Sequence, residues 1–217
     1  MEMEWKKLMA DWKKENKNLE SIGLKLKQLK ELMNNADALR GLSHETIILI
    51  HRDVFEIEVL YAILRSDLDS FQQAINVVLS FYKSYSSSEK WPNKWLMIGL
   101  NLMYLLATNQ HPEFHMLLEQ IDEEIQQNNP YIHIPLTLEQ SVMEGAYHKI
   151  LLTKKNIPSP YYTLFMHMSM NTIREEIAAC VESAFIQITQ RDAAKLLLFN
   201  DVHELMPFAE KVILTCW

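Results

Sequence analysis

The sequence predicts a mainly α-helical protein: a helical-repeat (TPR-like) solenoid of antiparallel helix pairs, followed by a partial C-terminal winged-helix module. Apolar residues recur in steps of three and four along most of the 217 residues, the spacing that lines one face of a helix. Leu, Met, Lys, Glu and Gln, which favour helices, are abundant, whereas only four glycines occur. The breaks between apolar segments are short, which favours antiparallel neighbours and a repeat architecture.

Helix boundaries in the first half of the chain are marked by short polar signals. Ser43 is predicted to cap a helix whose apolar positions run over 47–64, and the next helix is expected to open after Asp67. A polar break follows at 84–90. The segment 95–106 is apolar almost all round, so we expect a central helix packed on several sides.

Prolines and a capping signal divide the middle of the chain. Pro112 is expected to open a helix that continues to Ile125 and ends before Pro130, because the residue before a proline avoids helical geometry. Thr137 and Gln140 match a capping box, which predicts a helix extending to about residue 155. The stretch 131–134 could instead be a short extended segment.

The pattern beyond the proline pair at 158 and 160 predicts a short helix over 161–169 and then a longer one with its apolar stripe over 173–188. Cys180 falls on that stripe and is interpreted as a small core residue. Two short helices are expected at 192–199 and 202–211, followed by a strand at 212–215. Helix, turn, helix and strand is the opening of a winged helix, although any two short helices before a strand would match it. The predicted domains are therefore a helical-repeat domain, 1–188, and a partial winged-helix module, 189–217.

Composition and charge argue against several functional classes. The net charge of −7 disfavours broad contact with nucleic acid, and the segment 202–211 has one Lys against two Glu where a groove-reading helix would be rich in basic or amide side chains. No signal segment opens the chain and no apolar run is long enough to cross a bilayer, which predicts an intracellular, reduced protein.

Catalytic and metal-binding signals are scarce in the sequence. His111 and His115 are four residues apart and would share a helix face, but Glu113 is misplaced as a general base between them and no third ligand is fixed nearby. Phosphate-binding loops and nucleophile elbows are missing. We therefore predict no enzyme activity, no catalytic, cofactor-binding or metal-binding residues, and no cofactor.

Several separated stretches, in order, are similar to one known family. They are Gly99–Leu102, Glu113–His115, Ser141–Ile150, Asn156–Pro158, Thr172–Glu182 and Leu197–Asn200. Together they resemble the proteasome non-ATPase regulatory subunit 8 family of PCI-domain proteins, over about residues 8–211. The resemblance implies helical repeats fused to a winged helix, and a non-catalytic structural subunit in the lid of the 19S regulatory particle of the 26S proteasome, serving ubiquitin-dependent degradation. The alternative is a subunit of a sister PCI complex, the signalosome or translation initiation factor 3.

The resemblance also implies partners and a location. The partners would be the other lid subunits and the base of the regulatory particle, in a hetero-oligomeric complex without nucleic acid or membrane, in the cytoplasm and nucleus. Large apolar residues near the two ends are the candidates for protein contacts, with the two tryptophans of the first helix docking either onto this chain or onto a partner: Trp5, Trp12, Phe199, Phe208, Val212, Ile213, Leu214 and Trp217. The resemblance also implies that family members continue into a further C-terminal helix, so the chain as written is expected to enter the lid weakly or not at all unless that helix is supplied.

Overall fold

The computed structural model describes residues 1–14, 18–35, 43–85, 91–146, 149–150, 157–199 and 202–215. These residues are mainly helical and contain no strand, which confirms the predicted mainly α-helical class. They divide into two compact units, Met1–Asn101 and Leu102–Trp217. The detailed solenoid, the winged helix and the domain boundary at 188/189 stay predictions.

The first unit is built on the helices α1 (Glu2–Trp12), α2 (Leu19–Met33), α3 (His44–Leu64) and α4 (Leu68–Ser84). Helix α1 packs on both α2 and α3, and α3 packs in turn on α2 and α4. Their shared core contains Leu8 of α1, Leu29 of α2 and Ile50 of α3, each fully buried. Gly23 allows α2 to lie directly against Tyr61 of α3, since a side chain there would collide with the tyrosine ring.

Polar side chains start the helices of the first unit as predicted. The side chain of Ser43 accepts a hydrogen bond from the amide of Thr46 at 3.2 Å, and that of Asp67 accepts one from the amide of Ser70 at 3.1 Å. Between α3 and α4 the chain turns at Ser66, whose φ of 56° is in the left-handed region. The predicted N-cap at Ser43 and the predicted helix start after Asp67 are therefore confirmed.

Replacing Ser43 with alanine is expected to lower the free energy of unfolding by about 1 kcal/mol, because the amide of Thr46 loses its acceptor. Urea unfolding followed by circular dichroism measures the change. Ser43→Asp keeps an acceptor at the same position and should retain most of the stability. Equal losses in the two variants would contradict the capping role.

Helix α5 (Lys94–Ala107) contains the boundary between the two units and is buried along nearly its whole length, as its apolar sequence predicts. The second unit continues with α6 (His111–Leu118), α7 (Glu123–Asn128), α8 (Pro130–Met143), α9 (Tyr162–Ala184), α10 (Gln190–Leu196) and α11 (Val202–Thr215). Helix α7 packs on α8, and α10 packs on α11.

Three expectations about the middle of the chain are wrong. The helix opened by Pro112 ends at Leu118, and the side-chain amide of Gln126 donates to the carbonyls of Leu118 and Ile121 at 3.0 and 2.8 Å, which stabilises the break before α7. The stretch 131–134 is helical, because Asn129 caps a helix with Pro130 at its first position. Thr137 therefore lies inside α8, where its hydroxyl donates to the carbonyl of His133 instead of starting a helix.

The second half also departs from prediction. Residues 162–184 form one helix instead of a short and a long one. That helix ends at Ala184, four residues before the predicted stripe ends, and Cys180 is exposed, so its assignment to the core is wrong. The expected strand at 212–215 is wrong as well, because α11 continues through Pro207 to Thr215. A β-branched run favours a strand only weakly, since tertiary context decides β-propensity.

Candidate protein-interaction surface

Five large apolar side chains near the C-terminal end of the second unit are exposed: Phe185, Ile186, Ile188, Leu196 and Met206. Ile186 is fully exposed and Phe185 is 51% exposed. Single exposed apolar residues are common on protein surfaces, but an accumulation along one short stretch of chain is typical of a binding surface. These five residues are called the C-terminal apolar set below.

The first three members of the set lie on the connection between α9 and α10. Phe185 and Thr189 have extended backbone angles, with φ/ψ of −122°/129° and −76°/148°. The hydroxyl of Thr189 then accepts a hydrogen bond from the amide of Asp192 at 3.3 Å and thereby starts α10. Ile186, which is fully exposed, lies at a bend of this connection.

Arg174 fixes the turn between α10 and α11 relative to α9. Its guanidinium donates to the carbonyls of Leu197 and Leu198 at 3.2 and 3.3 Å. The same group lies 4.2 Å from the ring centre of Phe199, a cation–π contact. Phe199 in turn packs against Phe208 of α11, with 5.4 Å between ring centres. This arrangement holds α9, α10 and α11 together within the second unit.

The predicted contact residues divide into several groups in the structure. Trp5 and Trp12 are partly buried against the core of the first unit, so both dock onto this chain. Phe199 and Phe208 are half-buried and pack on each other. Val212, Ile213 and Leu214 lie in the last turns of α11, so they form no strand edge, and Trp217 lies outside the described residues.

The C-terminal apolar set was missed by the sequence reasoning. Phe185 and Ile188 had been assigned to the apolar stripe of a helix that in fact ends at Ala184. The signal that could have revealed it is the two-residue alternation of Ile-Gln-Ile-Thr at 186–189, which is typical of an extended segment.

The two histidines considered for a metal site are held by separate partners. His111 Nε2 lies 2.8 Å from the side-chain oxygen of Asn109, and His115 Nε2 lies 3.4 Å from a carboxylate oxygen of Glu139. Within the described part of the chain, no group of three or more His, Cys, Asp or Glu side chains could hold a metal ion. Nor does any described helix have the length and apolar character needed to cross a membrane.

Comparison with known proteins gives consistent results. The family model described as CSN8/PSMD8/EIF3K matches residues 92–217. The chain is 43% identical over 206 residues to the 26S proteasome non-ATPase regulatory subunit 8 of Caenorhabditis elegans, covering 95% of the chain and 80% of that relative. It is 33% identical to the Arabidopsis thaliana homolog A of that subunit, covering 84% of the chain and 70% of the relative.

A fungal relative shares a shorter region. The chain is 35% identical over 161 residues to the 26S proteasome regulatory subunit rpn12 of Schizosaccharomyces pombe, covering 74% of the chain and 59% of that relative. The family model matches more than half of the chain and includes the whole C-terminal apolar set. On the model match and these identities, the chain belongs to the CSN8/PSMD8/EIF3K family.

Proposed function

We propose that this chain is a non-catalytic structural subunit of the lid of the 19S regulatory particle of the 26S proteasome, and that it supports lid assembly and ubiquitin-dependent protein degradation. The observation that carries the proposal is the 43% identity over 95% of the chain to a relative named as a 26S proteasome regulatory subunit. The relatives from S. pombe and A. thaliana have names of the same kind. Its partners are other lid subunits and the base, in the cytoplasm and nucleus.

The exposed apolar side chains give this function a physical basis. A subunit that works by assembly needs surface whose burial against a partner is favourable, at about 25 cal/mol per Å2 of apolar area. The C-terminal apolar set provides such surface within the region that the family model matches. We assign it to contact with a neighbouring lid subunit. The predicted contact residues at 212–214 lie on α11, next along the chain, and belong to the same proposal.

Affinity purification tests the proposed complex. The chain is expressed with an N-terminal affinity tag in cells and recovered at physiological salt, and mass spectrometry identifies the proteins that accompany it. We expect lid and base subunits of the 26S proteasome. Signalosome or translation initiation factor 3 subunits, recovered without proteasome subunits, would overturn the proposal in favour of a sister complex.

A charge at the C-terminal apolar set is expected to reduce recovery of the lid at least tenfold. Ile186→Asp places a carboxylate where an apolar side chain would be buried, and every 1.4 kcal/mol lost from binding is a factor of ten in affinity. Leu24→Asp is the matched control, because Leu24 is also exposed but lies on α2 of the first unit. Equal recovery of lid subunits by the wild type and both variants would show that the C-terminal apolar set does not make the contact. The identity of the recovered complex tests the proposed function separately.

A further inference from the structure

Two carboxylates are buried in the first unit on the same helix, α3. Asp53 is 7% exposed and Glu56 is 4% exposed. Three residues apart, they lie on neighbouring positions of one helix face. Carboxylates are almost never buried unless hydrogen bonds and cations compensate for the lost water. The hydrogen-bond and ion-pair partners of these two carboxylates therefore show which elements they connect.

Asp53 joins α1 to α3. One of its oxygens accepts a hydrogen bond from the indole nitrogen of Trp5 at 3.1 Å. The other accepts from the guanidinium of Arg52, whose Nε lies at 2.8 Å. Trp5 is 48 residues away in sequence, so this contact forms only when α1 is seated on α3.

Glu56 joins α3 to the corner between α4 and α5. Its two oxygens accept from different elements: the hydroxyl of Tyr82, on α4, at 2.6 Å and the side-chain amide of Asn93 at 2.7 Å. Asn93 directly precedes α5, and its carbonyl accepts the hydrogen bond from the amide of Met97 that begins that helix. The position of the Glu56 carboxylate thus fixes the start of α5.

Arg52 connects the two carboxylates. Its Nε is 3.9 Å from Glu56 while the same guanidinium binds Asp53, and its central carbon lies 5.4 Å from the ring centre of Trp91, two residues before Asn93. The positive charge of Arg52 thus partly compensates both buried carboxylates. If Trp5 withdraws its N–H from Asp53, Arg52 has to compensate Asp53 alone, and its hold on Glu56 and Trp91 weakens.

We propose that α1 is a strap whose seating controls the order of the α4–α5 corner through the polar chain Trp5–Asp53–Arg52–Glu56–Asn93. The proposal does not depend on the proposed function. Helix α1 is also held by the fully buried Leu8, by half-buried side chains around it such as Met9, and by an ion pair between Asp11 and Lys25 of α2. Loss of the Trp5–Asp53 hydrogen bond, for example when a partner displaces that end of α1, loosens the first turn of α5. Because coupling between two sites is reciprocal, damage at the corner weakens the seating of α1 by the same factor.

Hydrogen exchange of the full chain, resolved by residue, tests the coupling from both ends. Trp5→Phe keeps a six-membered aromatic ring but removes the five-membered ring of the indole, which carries the N–H donor. We expect the amide of Met97, in the first turn of α5, to exchange at least fivefold faster in this variant, a factor in the usual range for coupled sites. Asn93→Ala is expected to accelerate exchange along α1 by a similar factor. In the double variant, the exchange rate at each end should equal that of the single variant with the larger effect there. It should not equal the product of the two single accelerations.

A packing variant separates the polar chain from a general loosening of α1. Met9→Ala removes apolar contact from α1 but no hydrogen-bond donor. It should accelerate exchange within α1 and leave Met97 unchanged. The proposal is overturned if Trp5→Phe leaves Met97 unchanged, or if Met9→Ala accelerates Met97 as much as Trp5→Phe does.

Discussion

Replacing Arg52 with methionine is expected to lower the free energy of unfolding by about 3–5 kcal/mol at pH 7, the range observed when one partner of a buried ion pair is removed. The guanidinium is the cation in contact with both Asp53 and Glu56, and its side chain is only 17% exposed. Methionine of similar length fills the space but removes the cation that both carboxylates contact among the described residues. Urea unfolding of the wild type and the variant measures the difference.

The loss is expected to depend on pH in a defined direction. Burial raises the pKa of Glu56 above its ordinary value of 4.5, against the hydrogen bonds from Tyr82 and Asn93 and the charge of Arg52, which lower it. Without Arg52 the pKa of Glu56 rises further. A carboxyl with a raised folded-state pKa binds its proton more readily in the folded than in the unfolded chain. Its ionisation therefore costs stability above that pKa, and the cost declines to zero as the pH falls to the pKa of the unfolded chain. The deficit of Arg52→Met should therefore shrink as the pH falls from 7 toward the ordinary carboxyl pKa of 4.5.

Two further variants distinguish the buried cation from arginine in general. Arg65→Met makes the same change at the exposed end of α3, where Arg65 contacts the Tyr61 ring at 5.8 Å, and it should change the unfolding free energy by less than about 0.5 kcal/mol. Arg52→Lys keeps the charge but loses the planar contact with Trp91, so an intermediate loss is expected. An Arg52→Met deficit that grows as the pH falls from 7 would contradict this account of the carboxylates.

Local signals allowed many helix starts to be predicted from the sequence. Ser43, Asp67 and Pro112 act within three or four residues of themselves, by accepting an amide hydrogen bond or by matching the geometry of a first turn. The burial of α5 was equally predictable, since its residues are apolar on all sides. In such segments local preference and tertiary packing favour the same structure.

The long-range polar chain could not be predicted in the same way. Asp53 and Glu56 fall among the apolar positions of α3, and nothing near them in sequence shows that Trp5, Tyr82 and Asn93 supply their donors. Periodicity identifies which face of a helix is apolar, but not which distant residue meets a polar position on that face. The partner of a buried carboxylate is a property of the folded chain.

Helix ends were predicted less well than helix starts, and this affected the interaction surface. The end of α9 at Ala184 has no proline or glycine near it, so the apolar residues at 185–188 could be read as one more helical turn. Treating them as helical assigned Ile188 to the core stripe, whereas the structure exposes it together with Phe185 and Ile186. An error of one turn was enough to hide a candidate contact surface.

Buried and exposed apolar residues of the second unit are expected to differ strongly in their effect on stability. Phe165→Ala is expected to lower the free energy of unfolding by about 3–5 kcal/mol, because it removes a large buried side chain and leaves a cavity that its neighbours fill only partly. Phe165 is fully buried on α9, with its ring centre 6.1 Å from that of Tyr104 in an edge-to-face arrangement. Urea unfolding, followed by circular dichroism, measures the loss.

Ile186→Ala is the matched control on the connection that follows the same helix, and it should change the unfolding free energy by less than about 0.5 kcal/mol, since its side chain is fully exposed. The same two variants are then compared for recovery of the lid. If the C-terminal apolar set contacts a partner, Ile186→Ala lowers recovery at unchanged stability, whereas Phe165→Ala lowers recovery only as far as it unfolds the chain. A stability loss for Ile186→Ala as large as that for Phe165→Ala would show that Ile186 is buried in the folded chain, and the interaction surface assigned here would be wrong.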